Sequence, residues 1–501
     1  GLIIEKKNSR DYPLNKIAER TIGYERLTKD DNFSGVGLEH AFGSKLRGKN
    51  GLQLMQKISN GKWKPISSSS KIEPVPGSDI ISTINVGFQD ITHHSLLKQL
   101  EDFEADHGTA VVMETETGEV KAISNLGRTS EGKYYERLNY AVGEHIEPGS
   151  TFKLMSIIAA LEDDKVDVNN IVDTENGILD FYGAKVRDSK KGGYGKISVN
   201  EIFKVSSNTG IVKIINDAYK DDPKMFSNRL YNMGLNNKLG VSILGESNPK
   251  IPHPNDKDWN GLSLPWMVYG YGVLLSPLQI LTFYNSVANN GEMVKPVFTR
   301  KNHLVSNKIV LNPSICSDDT IDKVKFMLEN VVNDKGGTGY NIKSNIYKIA
   351  GKTGTGQVDY NTDNVQYISS FVGYFPADKP KYSCIVVIHK PNKKKGYYGS
   401  AVAAPVFKKI ADKIYSLTPE LVNYNNTEKF ISSQIHSKID KSLIDISDLS
   451  SIIGKNFKNI LPALENLGFD VSFVGKGMII KTFRFKNKSQ KKIIISLTWS
   501  Y

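Results

Sequence analysis

A serine hydroxyl becomes a nucleophile only when a base removes its proton, and a lysine amine serves once burial and nearby positive charge keep it neutral. Ser150 and Lys153 stand three residues apart at the head of the apolar run Ser150-Thr151-Phe152-Lys153-Leu154-Met155-Ser156-Ile157-Ile158-Ala159-Ala160-Leu161. Pro148-Gly149 breaks the chain just before it, so the run reads as a buried helix with Ser150 at its N-terminus. On a helix that spacing puts both side chains on one face within hydrogen-bonding reach, and the helix start offers a free backbone N–H for an oxyanion. Ser-x-x-Lys alone is a weak signal. It recurs at Ser59/Lys62, Ser68/Lys71, Ser130/Lys133, Ser247/Lys250 and Ser489/Lys492, in polar or turn-like settings without a following apolar helix, and at Ser95/Lys98, which charged residues follow.

Two further elements strengthen it. Ser206-Ser207-Asn208 begins 56 residues after Ser150 in a helical stretch, offering a hydroxyl to relay a proton and an amide to hold Lys153 and a substrate carbonyl. Ser198-Val199-Asn200, at the start of the same stretch, is its rival; Ser206 is preferred because helix is expected on both sides of it. Lys352-Thr353-Gly354 occurs once, inside Ala350-Gly351-Lys352-Thr353-Gly354-Thr355-Gly356. A lysine on a glycine-rich strand supplies positive charge, depresses a neighbouring amine's pKa and, at Gly354, lets a substrate lie against bare backbone.

The elements that must position these residues follow from periodicity. Gly108 to Ser124 reads as a hairpin around Thr115-Glu116-Thr117-Gly118. Helices are expected over Val199 to Asp217 and Ser276 to Asn289. Neighbouring strands are expected over Ile349 to Gly356, Gln366 to Phe375 and Lys381 to His389, with a closing amphipathic helix over Val402 to Ser416. Strands, then helices, then strands again indicate an α/β protein of α+β type, a sheet sandwiched by helices and not a βαβ barrel. Residues 1–72 are rich in Gly, Lys and Ser and end in the linker-like Ser67-Ser68-Ser69-Ser70-Lys71. After Ser416 a polar stretch, 417–440, leads to a small unit at 441–501, with a helix (Leu461 to Leu467), the Gly475-Lys476-Gly477 turn and a last strand at Lys492 to Leu497.

With 501 residues, 39% hydrophobic and 24% charged, the chain is a folded protein of more than one domain, not a low-complexity or disordered one. No apolar run reaches the roughly 18 residues that span a bilayer. The opening Gly1-Leu2-Ile3-Ile4 lacks a starting Met and reads as the start of a piece of something longer. Cys316 and Cys384 are too few for a disulfide framework, and Cys384 lies in an apolar strand as an inert thiol. His93-His94 has no partners at ligand spacing, so neither a metal nor a cofactor is expected and the histidines are read as solvated. The net charge is +12, and Lys441 to Tyr501 alone hold ten Lys/Arg against four Asp/Glu. That excess suits an anionic wall polymer or membrane surface, or a merely solvated face. No aromatic-interleaved basic motif points to nucleic acid.

The ordered triplet Ser-x-x-Lys, Ser-x-Asn, Lys-Thr-Gly resembles the signature of serine β-lactamases and penicillin-binding proteins. The likeness extends to Glu147-Pro148-Gly149-Ser150-Thr151-Phe152-Lys153, Ser276-Pro277-Leu278-Gln279, Ser370-Phe371-Val372-Gly373-Tyr374-Phe375-Pro376 and Ala403-Ala404-Pro405-Val406-Phe407. Over 73–416 the chain is similar to the transpeptidase domain of class B penicillin-binding proteins of the cell-division, FtsI-like type. Arg10-Asp11-Tyr12-Pro13 and Gly35-Val36-Gly37-Leu38-Glu39 resemble part of that family's non-catalytic pedestal, placed at 1–72. Leu461-Pro462-Ala463-Leu464-Glu465-Asn466-Leu467-Gly468 resembles a PASTA module, departing from it at Lys481-Thr482-Phe483-Arg484. Met267 to Gly272 departs from the family's usual site-lining segment.

The resemblance implies a D,D-transpeptidase cross-linking peptidoglycan stem peptides, with Ser150 as nucleophile and Lys153 as base. Ser206 and Asn208 would relay protons and hold substrate, Lys352 with Thr353 and Thr355 would meet the terminal carboxylate, and the N–H groups of Ser150 and Thr355 would form the oxyanion hole. It implies β-lactams as acylating mimics, partners from the division machinery at the pedestal, and a place outside the cytoplasmic membrane on an anchor preceding these residues. The alternatives are a serine β-lactamase and a catalytically idle β-lactam-binding scaffold.

Overall fold

The computed structural model describes residues 17–58, 61–66, 71–302, 306–359, 364–418, 449–466, 468–474, 478–487 and 490–498. Arg10 to Pro13, Ser67 to Ser70, most of 417–440 and Gly475 to Gly477 lie outside them. The first described unit is small: an antiparallel pair, Tyr24–Leu27 with Phe33–Val36, and the short helix Gly37–Ala41. It meets the rest of the chain where the Arg20 backbone N–H donates to buried Glu136 (2.9 Å).

Helix α1 (Val86–Phe103) starts where the Asn85 side chain accepts the Phe88 N–H, a cap that satisfies an orphan donor. A hairpin follows, β1 (His107–Glu114) and β2 (Val120–Arg128), then the short β3 (Tyr134–Tyr135). The chain next builds α2 (Lys153–Glu162), the two-stranded β4 (Ile178–Phe181) and β5 (Ala184–Arg187), α3 (Val199–Lys204) and α4 (Asn208–Tyr219). After α5 (Pro277–Ala288), opened by a capping box between Ser276 and Gln279, and α6 (Asp318–Asn333), it returns to the sheet. The returning strands are β6 (Ala350–Val358), β7 (Gln366–Phe375) and β8 (Tyr382–His389), closed by α7 (Ala404–Leu417).

The six strands stand in the order β3-β2-β1-β8-β7-β6, every pair antiparallel, so β6 is a free edge. The sandwich is visible in two consecutive residues. Tyr382 packs edge-on against Phe88 of α1 (5.3 Å), while Ser383 donates to Asn285 of α5 (2.7 Å), as alternation across a strand requires. Beyond α7 a small unit of α8 (Phe457–Asn466) packs on β9 (Asp470–Val474), β10 (Met478–Asn487) and β11 (Gln490–Thr498), with its own core around Ile460 and Leu464. Among the described residues no helix is long and apolar enough to cross a membrane.

Two expected helices are redrawn. Ser150 lies in a 3-10 turn, Gly149–Phe152, and the α-helix begins only at Lys153. The stretch Val199 to Asp217 is two helices: Ser206 adopts a left-handed backbone (φ 59°), and the Ser207 side chain caps α4. Helix stands on both sides of Ser206 as expected, but the two are separate, and Ser206 lies in the break between them.

Candidate active site

Helix α2 is buried along its whole length. Leu154, Met155, Ile157, Ile158 and Leu161, at about 2 kcal/mol each, contribute on the order of 10 kcal/mol of gross burial. That exceeds the several kcal/mol that burying one ion costs. The helix can therefore carry Lys153, 1% exposed, into the interior. There Lys153 Nζ donates to Asn208 Oδ1 (2.6 Å), the Ser206 carbonyl (2.7 Å) and Ser206 Oγ (3.2 Å). Burial pulls its pKa down to about 7, with nearby Asp188 opposing.

From β6, Lys352 Nζ reaches the same hydroxyl, donating to Ser206 Oγ at 2.8 Å and to the Thr353 carbonyl at 3.2 Å. Lys352 is fully buried, and burial first, then the Lys153 charge, holds it well below an ordinary lysine. Both amines are depressed by burial, and the charge of each disfavours a proton on the other.

Sequence reasoning missed Asp188, at the end of the β4–β5 hairpin. Its carboxylate accepts the N–H of Asn208 (2.6 Å) and Thr209 (3.0 Å) and the hydroxyls of Ser207 (2.9 Å) and Thr209 (2.8 Å). It thus fixes the first turn of α4, and with it Asn208, whose Nδ2 donates to the Arg187 carbonyl (2.8 Å). The sequence around Asp188 carries no spacing signal, because the hairpin touches α4 only in three dimensions.

Ser150, Ser206, Asn208, Thr353 and Thr355 line one cavity of about 510 Å³, with Lys153 and Lys352 beneath it. No hydrogen bond from Ser150 Oγ forms among the described residues, unlike the expected Ser150–Lys153 contact. Such bonds are commonly loose until substrate is bound. The rival Ser198 only caps α3, accepting the Glu201 N–H (3.2 Å).

Gly354 has a packing reason beside the one expected. A Cβ there would stand 2.2 Å from Ser370 Oγ and 2.9 Å from Thr151 Cγ2, so bare backbone is needed for β6 to approach the Ser150 turn. Thr353 Oγ1 donates to Thr338 Oγ1 (2.8 Å), and Thr355 Oγ1 accepts the Gly399 N–H (3.0 Å). The Gln357 N–H leaves the free edge of the sheet to reach Tyr271 Oη (3.0 Å). Alternation along β6 aims the Thr355 N–H at that same edge, towards Ser150. Two aromatic pairs line the cavity, Tyr269 with Tyr271 (5.2 Å) and Tyr367 with Tyr397 (4.0 Å, stacked).

Comparison with known proteins adds an independent line. The family described as the penicillin binding protein transpeptidase domain matches residues 108–412. Stage V sporulation protein D of Bacillus subtilis (strain 168) is 27% identical over 495 residues, covering 95% of this chain and 73% of that protein. The peptidoglycan D,D-transpeptidase FtsI of Buchnera aphidicola subsp. Baizongia pistaciae is 28% identical over 429 residues, covering 83% and 71%. The solved transpeptidase domain of Burkholderia pseudomallei penicillin-binding protein 3 is similar with a TM-score of 0.59 at 30% identity, covering 68% of this chain and 97% of that one.

Proposed function

This chain belongs to the penicillin-binding protein transpeptidase family, and from that premise we propose that it cross-links peptidoglycan through an acyl-enzyme on Ser150. The enzyme is a serine-type D,D-transpeptidase that acts on peptidoglycan and binds β-lactams. The observation that carries the residue assignment is the hydroxyl of Ser206 held between Lys153 and Lys352 beneath the cavity that Ser150 lines.

Lys153, whose pKa burial pulls down to about 7, takes the Ser150 proton as Oγ attacks the carbonyl carbon of the penultimate D-Ala. The Ser150 and Thr355 N–H groups receive the oxyanion. As the C–N bond breaks, the proton passes from Lys153 by way of Ser206 to the departing D-Ala amine, and Asn208 keeps Lys153 in line. Lys352, Thr353 and Thr355 meet the substrate's terminal carboxylate, whose charge draws a proton back onto Lys352. The ester is then resolved by an amine from a neighbouring strand. We place this in septal wall synthesis outside the cytoplasmic membrane, with residues 1–72 facing division proteins and 441–501 as an accessory module.

A β-lactamase needs a second base to activate water on the ester. Asp188 is the only carboxylate among the described residues lining the cavity, and its oxygens are taken up by α4. Glu246, another acidic candidate between the second and third motifs, instead ties down the loop at Gly240 (2.9 Å). Stopped-flow mixing with a chromogenic cephalosporin should give a burst of about one equivalent per site and then very slow turnover. Sustained turnover on the order of 10 per second would make it a β-lactamase. No burst and no adduct would make it an idle scaffold.

A further inference from the structure

The β4–β5 hairpin gives one wall of the cavity a positive charge that none of the catalytic groups answers. Lys185 and Arg187 stand two residues apart on β5, so the pleat puts them on one face, while Val186 between them is buried on the other. Both line the cavity with Ser150. Both are exposed, and among the described residues neither side chain has an ion-pair or hydrogen-bond partner. Asp180, directly across the hairpin from Lys185, uses its carboxylate to accept the Gly183 N–H (2.9 Å), and Ile178 across from Arg187 is apolar.

The rest of the lining does not balance these two cations. Asp188 is its only carboxylate among the described residues, and both its oxygens are taken up by the first turn of α4. The remaining lining groups are hydroxyl, amide, aromatic and aliphatic. The position of the pair shows which part of a substrate meets it. The terminal carboxylate is assigned to Lys352, Thr353 and Thr355 on β6, a separate element. Arg187 is tied instead to Asn208, the amide expected to hold a substrate carbonyl, whose Nδ2 donates to the Arg187 carbonyl (2.8 Å). An extended chain advances about 3.4 Å per residue, so a group one or two residues upstream of the D-Ala pair comes within reach of these long side chains.

We propose that Lys185 and Arg187 select donor stems that carry a carboxylate upstream of the terminal D-Ala pair, either on the side chain of the third stem residue or as the free α-carboxylate of the second. The inference rests on the transpeptidase reading of Ser150. A guanidinium grips a carboxylate with two parallel N–H donors, and the neighbouring ammonium adds a point charge. Amidation of that carboxylate removes its charge and one of the two acceptors, so an amidated stem loses the contact. Because both cations are solvated, the contact is modest and is screened by salt. The pair moves no proton; it sets which donor is preferred.

The test uses penicillins built on the aminopenicillanic acid nucleus, which report stem recognition at the acylation step without an acceptor strand. One pair carries an acyl chain ending in a carboxylate or in a primary amide and stands for the third residue. A second pair carries alanine acylated through the γ-carboxyl of N-acetyl-D-glutamate or N-acetyl-D-isoglutamine and stands for the second. Members of a pair share the nucleus carboxylate, so it cancels in the ratio of their acylation rates on Ser150. In one of the two pairs the ratio should favour the carboxylate by about fivefold at low salt, and the preference should fade in about 1 M salt. The pair that responds identifies the source. Lys185→Gln combined with Arg187→Gln should abolish the preference, and Arg187→Lys should keep most of it. Lys190→Gln should keep all of it, since Lys190 Nζ lies over the Tyr194 ring (5.1 Å), outside the cavity lining. No preference for the carboxylate in either pair, a preference untouched by the double substitution, or an equal loss with Lys190→Gln would overturn the subsite. No acylation by any of these penicillins would overturn the transpeptidase reading itself, and the subsite with it.

Discussion

Lys153 and Lys352 converge on a single hydroxyl, that of Ser206, at 3.2 and 2.8 Å, though they come from α2 and from the edge strand β6. Neither is solvated, and both are held below the ordinary lysine range by burial. Two such amines do not both keep a proton near neutral pH, so acylation should titrate as a property of the pair.

Lys352→Ala removes a like charge and opens the interior to water, and both changes raise the pKa of Lys153. Acylation needs that amine neutral, so the rate profile against pH should move to higher pH, by about one unit, and the loss should be greatest at low pH. Rates of penicillin acylation between about pH 5 and 9 measure it. A profile superimposable on the parent's would show the lysines to be uncoupled.

Asp188→Asn should act in the opposite sense. The Asp188 carboxylate raises the Lys153 pKa, so its neutralisation lowers that pKa further and shifts the acylation profile to lower pH. The amide still accepts at one oxygen but weakens the start of α4, at a cost of about 1 kcal/mol in urea unfolding. A shift to higher pH would contradict this account of Asp188.

Gly354→Ala drives a methyl group into Ser370 Oγ and Thr151. Stability should fall by about 2 kcal/mol and penicillin labelling should slow, because the strand is pushed off the Ser150 turn. Adding Ser370→Ala removes the closer contact and should recover part of both. If the double variant is no better than the single, the glycine is there for substrate.

The three motifs were legible because each is a short run with its chemistry written in residue type. The strands β7 and β8 and helix α5 were legible from apolar periodicity, their bounds falling within two residues of expectation. What was not legible depends on contacts between distant segments. The break at Ser206 is imposed by Asp188 and Lys153 gripping the start of α4, and local helix preference there points the other way. Asp188 and the aromatic walls likewise come from separate loops that only the fold brings to the cavity.

Glu136, buried where residues 17–23 meet the sheet, has its pKa raised to about 7 by burial, with the Arg20 and Asn125 N–H groups opposing. Its folded pKa exceeds its unfolded one, so the stability it contributes is fully present below about pH 4.5 and is lost as pH rises through about 7. Hydrogen exchange at the Arg20 amide should therefore speed up between about pH 5 and 8 beyond its intrinsic rise, and Glu136→Gln should remove the excess. Equal excess in both proteins would contradict the assignment.

The central claim is that Ser150 is the nucleophile, and peptide mass spectrometry after benzylpenicillin treatment tests it most directly. The parent should carry one penicilloyl group, on the tryptic peptide that contains Ser150, and Ser150→Ala, with an unchanged far-ultraviolet spectrum, should carry none. An adduct on any other serine of the parent, or on the Ser150→Ala protein, would contradict the account.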